Sequence, residues 1–589
     1  MEQIEKPTKW TLHDLFPEPV DQALEETFSK LEQALAEFEA TRELLTDEIS
    51  PQEFNVVLDK LEAFALLKSK IEAYAELSVA EDTQNPAALH LRDRVDQVLT
   101  DSTNRILFLE MWFKDLPAES IRKLIEHSGK RHYFIETMTR FNPYTLSEVE
   151  ERLINLKDVN GIDALVNLYE MITSQFTFQL EVDGQIETLT QDQLSGYFSS
   201  ASPEMRVKAY QEMYRVYTEH STVLAQMYIH RVRDWHTEGL ELRGFASPIS
   251  AQNLENDLPD QVVETLLEVC RQNADLFQRY FKMKANWLGL EKLQRYDIYA
   301  PLAQSEKKFD FASAKQIVMD SYRSFSPQVA ALAERVFDEN HLHAAIHPGK
   351  RGGAFCYTVT PELTPWVMVN YNGNARDIAI LAHELGHAIH SMLASHHSIL
   401  LQEPALPLAE TASVFAEMQL TDCLLRQESD PALRRDLLAN ALDDAYVTVM
   451  RQAYFTVFER DAHEMINDDC TLDELTEHYL ENLREQFGDA VDVSEDFKWE
   501  WLAIAHLYHS PFYTYAYSFG QLLVLSLYQQ YRSEGEAFLP RYLKILSYGG
   551  SESPMKILSE AGLDVAYPAF WQGGFDVLEG MLSELNQLA

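Results

Sequence analysis

Cysteine is scarce in this sequence. The four that occur, Cys270, Cys356, Cys423 and Cys470, lie far apart and form no C-x-x-C pair. They read as free thiols of a reducing compartment and not as a disulfide framework. Long apolar runs are missing as well: no stretch of about 18 apolar residues occurs, which excludes a membrane-spanning helix. The opening MEQIEKPTKWTLHDLFPEP is charged and lacks the apolar centre of a signal peptide. Basic residues are in short supply, 49 Lys and Arg against 93 Asp and Glu, giving a net charge of −44. That much negative charge repels phosphate backbones and anionic lipid, which argues against nucleic acid and membrane surfaces as partners. No fixed-period repeat is visible, so a solenoid is not expected. Together these absences lead to the expectation of a cytoplasmic protein.

What is present is a folded, helix-rich chain. Hydrophobic residues make up 46% and aromatics 11%, and 589 residues suffice for several cores. VDQALEETFSKLEQALAEFEA and FNVVLDKLEAFALLKSKIEAYAELSVA repeat apolar residues at intervals of three and four, the period of amphipathic helices. The first interruption is at 176–190, where apolar and polar residues alternate and Asp183-Gly184 predicts a hairpin. Helical texture resumes after it, which places a boundary near 195–205. The expected division is an N-terminal helical domain, 1–200, and a second domain, 201–589. Two short apolar runs, 354–359 and 366–371, predict paired strands, and a free edge there would suit an extended peptide. His341 and His343 form an H-x-H pair, but the PGKRGG that follows His347 reads as a solvated loop.

Directly after the strands comes DIAILAHELGHAIH, Asp377–His390. His383 and His387 are four apart, so on a helix both imidazoles leave one face, as two nitrogen ligands of one zinc ion do, with Glu384 beside them to move a proton. Asn374 with Asp377 predicts a capping box at the helix start. A catalytic zinc needs a third protein ligand. The H-E-x-x-H-x-x-G-x-x-H solution fails, because His390 stands where Gly is needed and Leu393 where His is needed. The alternative is a downstream glutamate: Glu403, Glu410 or Glu417. Glu403 lies in a Pro-punctuated loop, whereas Glu410 and Glu417 share the helical segment LAETASVFAEMQL and, seven apart, one face of it. Glu410 is expected as ligand, with Glu417 hydrogen-bonded to a ligating histidine, and His390 beside the ligands or the substrate. Oxyanion donors are sought in HLYHSPFYTYAYSFG, where His506, Tyr513, Tyr515 and Tyr517 are candidates; in an extended chain the three tyrosines would line one face.

HELGHAIH, the later AETASVFAE and the late HLYHSPFYTYAY together resemble the oligoendopeptidase F and thimet oligopeptidase family of zinc peptidases, with the bacterial oligoendopeptidase F branch nearest. RGFASP, YDIYAPL, GKRGGAF, PWVMVNYNG and RQAYFTVFE extend the likeness over most of the chain. The resemblance implies a mainly α, two-lobed fold with a deep central cleft, one Zn²⁺ per chain, and short unstructured oligopeptides as substrates. It further implies His383, His387 and Glu410 as ligands and Glu384 as general base. His506 and Tyr517 become the best matches to the family's transition-state donors, with Tyr515 close behind, and the loop at Gly352 and Gly353 becomes a border of the substrate. A dipeptidyl carboxypeptidase is the alternative, but no Arg or Lys stands out to hold a terminal carboxylate. A non-catalytic peptide-binding protein would have lost a ligand or the glutamate, and none is lost. The sequence carries no signal for oligomeric state.

Overall fold

Alternation and the Asp-Gly turn act as the pattern predicts: Phe178–Val182 pairs antiparallel with Gln185–Leu189, Phe178 opposite Leu189. Asp183 and Gly184 both take positive φ, 52° and 79°, as a tight two-residue hairpin turn requires. The remainder is overwhelmingly helical, so the chain is mainly α. The computed structural model describes residues 8–18, 20–302 and 308–588; the first seven residues, on which part of the N-terminal reading rests, lie outside them. Among the described residues no helix is long and apolar enough to cross a membrane.

The chain forms two compact units, neither continuous in sequence. One comprises Met1–Asn142, Glu306–Gln427 and Gln530–Leu563; the other comprises Pro143–Ser305, Glu428–Gln529 and Asp564–Ala589. The division expected near residue 200 follows helical texture along the chain, whereas packing groups the chain by shared core.

In the first unit, helices Val20–Glu39 and Pro51–Glu81 contribute Leu31, Leu35, Phe38, Phe54, Val57 and Ile71 to a core that also takes in Val359, Trp366 and Met368. Ser50 and Glu53 form a capping box ahead of Pro51, which fixes where the second helix starts. Ser69 Oγ donates to the Val359 carbonyl at 2.6 Å, and Trp366 Nε1 to that of Thr11 at 2.8 Å. The N-terminal helices are thus built into a small sheet. In it Trp366–Met368 is central, parallel to Leu342–His343 and antiparallel to Phe355–Tyr357. The pair of strands expected at 354–359 and 366–371 is present, and Phe355–Tyr357 is an edge.

The second unit is organised on the 33-residue helix Pro203–Trp235, which buries Tyr210, Tyr214, Tyr217 and Tyr228. Three cations buried here are paired: Arg206 with Asp297 at 2.7 Å, Arg295 with Glu500 at 2.6 Å, Lys284 with Asp443 at 2.8 Å. Unpaired, each would carry a desolvation penalty of several kcal/mol.

Candidate active site

Helix Ala375–Leu393 begins as its capping box predicts. Asn374 Oδ1 accepts from the Asp377 N–H at 3.0 Å, and Asp377 Oδ2 accepts from the N–H groups of Asn374 at 3.2 Å and Asn372 at 2.6 Å. Ile378, Leu381, Ala382, Leu385 and Ile389 bury one side of the helix. Gly386 sits between the two histidines on a close approach: a Cβ there would lie 2.6 Å from Ser413 Cα and 2.8 Å from the Ala412 carbonyl oxygen. Only a glycine lets helix Ser413–Gln427 and its lead-in come this near. A glycine inside a helix costs roughly 1 kcal/mol relative to alanine, and that unfavourable choice was the signal in the sequence for close backbone contact.

That approach delivers two carboxylates to opposite nitrogens of His383. Glu417 Oε1 lies 2.7 Å from Nδ1, and Glu410 Oε2 lies 3.4 Å from Nε2. Glu410 Oε2 is also 3.5 Å from His387 Nε2, and the two Nε2 atoms are 3.2 Å apart. A tetrahedral ion with ligands at about 2.0–2.1 Å holds its donor atoms about 3.3 Å apart, so these three atoms fit the face of one coordination tetrahedron. Glu417 accepting from Nδ1–H leaves the Nε2 lone pair for a metal. Ser413 Oγ, not singled out from sequence, donates to Glu410 Oε2 at 2.5 Å and fixes that carboxylate.

One expectation needs correction. Glu410 and Glu417 do not lie on a common helix face: the helix starts at Ser413, and Glu410 closes the short helix Leu406–Ala409. Glu410, Thr411 and Ala412 form a turn between the two helices, and the two carboxylates converge because the chain turns around His383 between them. Glu403 stays outside the group; its carbonyl packs against Gly550, where a Cβ would meet it at 2.1 Å.

Glu384 is buried, and burial, reinforced by the Glu410 and Glu417 carboxylates, pushes its carboxyl up to about 7 against the pull of His383. Burial lowers His383, but the Glu417 hydrogen bond and the surrounding carboxylates outweigh it and raise the ring, so a metal binding at Nε2 would displace the second proton. Edge strand Phe355–Tyr357 runs alongside: Cys356 feels the Glu384 carboxylate, and Thr358 Oγ1 lies 2.6 Å from Ser391 Oγ of the motif helix. His390 is 4% exposed and hydrogen-bonds the Ala409 backbone, so it braces the turn into Glu410 and is withdrawn from any substrate. Gly352 and Gly353 are exposed in the loop before the edge strand; Gly353 has φ +80°, and Asn370 Nδ2 donates to its carbonyl at 2.8 Å. The H-x-H pair does not converge: His341 stacks on Trp366 at 3.8 Å and His343 meets Trp10 edge-on at 5.2 Å. His341, Asp14 and Glu339 do bring three donor atoms together, but there Glu339 bonds Arg335 Nε at 3.2 Å.

The 506–517 segment belongs to the second unit. His506 Nε2 and Tyr517 OH are 3.2 Å apart, both residues are exposed, and Tyr513 completes the group with its ring 5.8 Å from His506 and 5.5 Å from Tyr517. The extended arrangement that would align Tyr513, Tyr515 and Tyr517 does not occur. A helix begins at Tyr515, so Tyr513 and Tyr517, four apart, share a side and Tyr515 points inward. Tyr515 is fully buried, with its hydroxyl accepting from Asn256 Nδ2 at 2.8 Å, and it cannot be a substrate contact. Tyr513, half-buried, takes its place beside His506 and Tyr517.

The family model described as Peptidase family M3 matches residues 197–577, and one described as Oligopeptidase F matches 112–178. Over its whole length the chain is 24% identical to an oligopeptidase PepF of Bacillus subtilis, covering 88% of that protein. It is 26% identical to an oligoendopeptidase F homolog of Borreliella burgdorferi, covering all of this chain and 99% of the other. A crystal structure from Chlamydophila abortus superposes with TM-score 0.90 at 22% identity, covering 99% of this chain and 98% of that one. The oligoendopeptidase-F of Enterococcus faecium gives TM-score 0.70 at 22% identity, covering 96% and 99%.

Proposed function

Because the chain belongs to peptidase family M3 and is on that account a metallo-oligopeptidase, we propose that it is a zinc-dependent endopeptidase that hydrolyses short, unstructured oligopeptides. The observation that carries this reading is the His383–His387–Glu410 group, with donor spacings of 3.2, 3.4 and 3.5 Å and Glu384 on the same helix. In it, His383, His387 and Glu410 hold one zinc ion, and Glu417 orients His383 from behind. The ion supplies a Lewis acid that lowers the pKa of water and polarises a carbonyl. Glu384 takes the proton of the attacking water and passes it to the leaving amine, a role that suits a carboxyl raised toward neutrality by burial. Substrate backbone pairs with the free edge of Phe355–Tyr357, and the loop at Gly352 and Gly353 borders it. His506 and Tyr517, with Tyr513 beside them, donate hydrogen bonds to the charge that develops on the carbonyl oxygen; the support here is their chemistry, their exposure and the likeness of the segment to the family. Residues 201–589 form the peptidase region, and all of these residues lie within it.

The test is hydrolysis of an internally quenched peptide by wild type and Glu384→Gln, with zinc measured in both. The expected result is one zinc per chain in each protein and cleavage by wild type alone. Absence of bound zinc, with no restoration on adding it, overturns the reading. A substrate amidated at its C-terminus separates an endopeptidase, which cleaves it, from a dipeptidyl carboxypeptidase, which does not.

A further inference from the structure

Behind the His506–Tyr513–Tyr517 group, one face of helix Arg451–Asn467 grips the chain that carries it. Thr456, Glu459 and His463 follow each other at intervals of three and four, so they form one stripe on that helix. Thr456 Oγ1 is 2.8 Å from Thr514 Oγ1, both buried. Glu459 Oε2 accepts from the Phe512 N–H at 2.9 Å, and the His463 ring lies 4.7 Å from that of Phe512. Two turns before Thr456 the Val449 carbonyl accepts from Ser518 Oγ at 2.8 Å. On the other flank Arg231 Nε donates to the Tyr508 carbonyl at 3.0 Å. Residues 512 and 514 are held inward by these bonds, and Tyr513 between them is turned outward.

The contact at Phe512 is the unusual one. Phe512 has φ +63°, the left-handed region that a bulky aromatic residue avoids. Its N–H points into a fully buried setting, where it needs an acceptor, and Glu459, 1% exposed, provides the carboxyl oxygen. The other carboxyl oxygen, Oε1, is buried with no partner, and both His463 nitrogens are likewise buried without one. A buried carboxyl with one unsatisfied oxygen is an expensive way to bind a single N–H, and a conventional turn would not need it. Local strain backed by a costly partner is expected where a backbone shape serves the reaction.

We propose that Glu459 is a positioning residue for the reaction: by holding the Phe512 N–H in a left-handed turn, it fixes the register that presents Tyr513 and Tyr517 beside His506. Glu459 touches no substrate and acts through the backbone of residues 512–514. The inference rests on the reading of the 506–517 segment as a source of transition-state donors. Burial drives the Glu459 carboxyl well above the ordinary carboxylate range, so the neutral, equally shaped glutamine is its conservative replacement.

The experiment compares kcat and KM of wild type, Glu459→Leu, Glu459→Gln, Thr514→Val and Tyr517→Phe on one quenched peptide. Loss of donors used only in the transition state lowers kcat and leaves KM unchanged, so Glu459→Leu is expected to lose at least about tenfold in kcat with KM constant. Glu459→Gln keeps the acceptor and stays within about threefold of wild type, a rescue that a role in charge pairing would not give. Should Glu459→Leu fail to fold, Thr514→Val loosens the other side of Tyr513 and is expected to lower kcat at constant KM. Full kcat in Glu459→Leu, or in Thr514→Val where the leucine variant does not fold, overturns the inference; so does an equal loss in the leucine and glutamine variants. If Tyr517→Phe retains full kcat, the reading of the segment falls and the inference with it. If Tyr517→Phe loses activity while Glu459→Leu does not, the inference alone falls.

Discussion

Glu417 and Glu410 address the same imidazole from opposite sides, Glu417 at Nδ1 of His383 and Glu410 near Nε2. A carboxyl oxygen accepting at Nδ1 selects the tautomer with its proton there, so Nε2 is the nitrogen that faces His387 and Glu410. The interaction stabilises the ring in the orientation a metal would require. Glu417→Ala is therefore expected to weaken zinc binding by roughly 10–100-fold while leaving the three proposed ligands in place. Zinc release to a competing chelator measures it, and excess zinc should restore most of the activity. Unchanged affinity would show that Glu417 does not orient the site.

Gly386 tests how tightly the two helices of the site must pack. The nearest atoms to an added Cβ are backbone, Ser413 Cα at 2.6 Å and the Ala412 oxygen at 2.8 Å, and they cannot rotate away as a side chain would. Gly386→Ala gains helix propensity, worth roughly 1 kcal/mol, but overpacking of this kind costs about 1–3 kcal/mol. Because the displaced segment carries Glu410 and Glu417, zinc content should fall along with the unfolding midpoint. An alanine variant with normal zinc and a raised midpoint would contradict this.

Tyr515 and Tyr517 are separated by one residue and should respond oppositely to the same change. Tyr515→Phe strips the buried Asn256 amide of its partner and should cost about 1–3 kcal/mol of stability with little effect on kcat. Tyr517→Phe removes an exposed hydroxyl, so stability should hold while kcat falls by about 10²–10³-fold. Chemical denaturation and steady-state kinetics on both variants decide it.

That contrast shows where the sequence was legible. His383 and His387 could be placed together because a spacing of four on a capped, apolar helix has one geometric meaning, and Asn374 with Asp377 marked its start. The hairpin at Asp183-Gly184 followed from alternation and turn chemistry alone. Glu410 could be named by residue type and proximity, but not its conformation, because the break before Ser413 is decided by packing against Gly386. Tyr515 was misplaced because the segment after Pro511 carries no cue for where extended chain ends and helix begins. The inward hold on Phe512 comes from Glu459, 53 residues away in sequence, and no local pattern could reveal it. The compact units were hidden for the same reason: the N-terminal helices share a core with strands more than two hundred residues later.

The pair Asp461–His478 in the second unit gives a stability effect with a defined pH window. His478 Nε2 lies 3.1 Å from Asp461 Oδ2. That hydrogen bond is the main cause raising His478, against partial burial, with Asp461, Glu481 and Glu485 adding to it. Burial would raise Asp461, but the bond to His478 and the nearby Arg460 together hold it below its ordinary value. A histidine raised on folding contributes stability that is complete below its unfolded pKa, about 6.5, and is lost as pH rises through the folded value. An aspartate lowered on folding contributes above its unfolded pKa, about 3.9, and loses that contribution as pH falls through the folded value. The pair therefore stabilises most between these limits, by less than about 1 kcal/mol for a half-exposed pair. His478→Gln should be less stable than wild type at about pH 5, with the gap closing toward pH 9 as the wild-type ring loses its proton. Urea denaturation of both proteins across that range measures the gap, and a gap that stays constant or widens with pH would show that the charge on His478 contributes nothing.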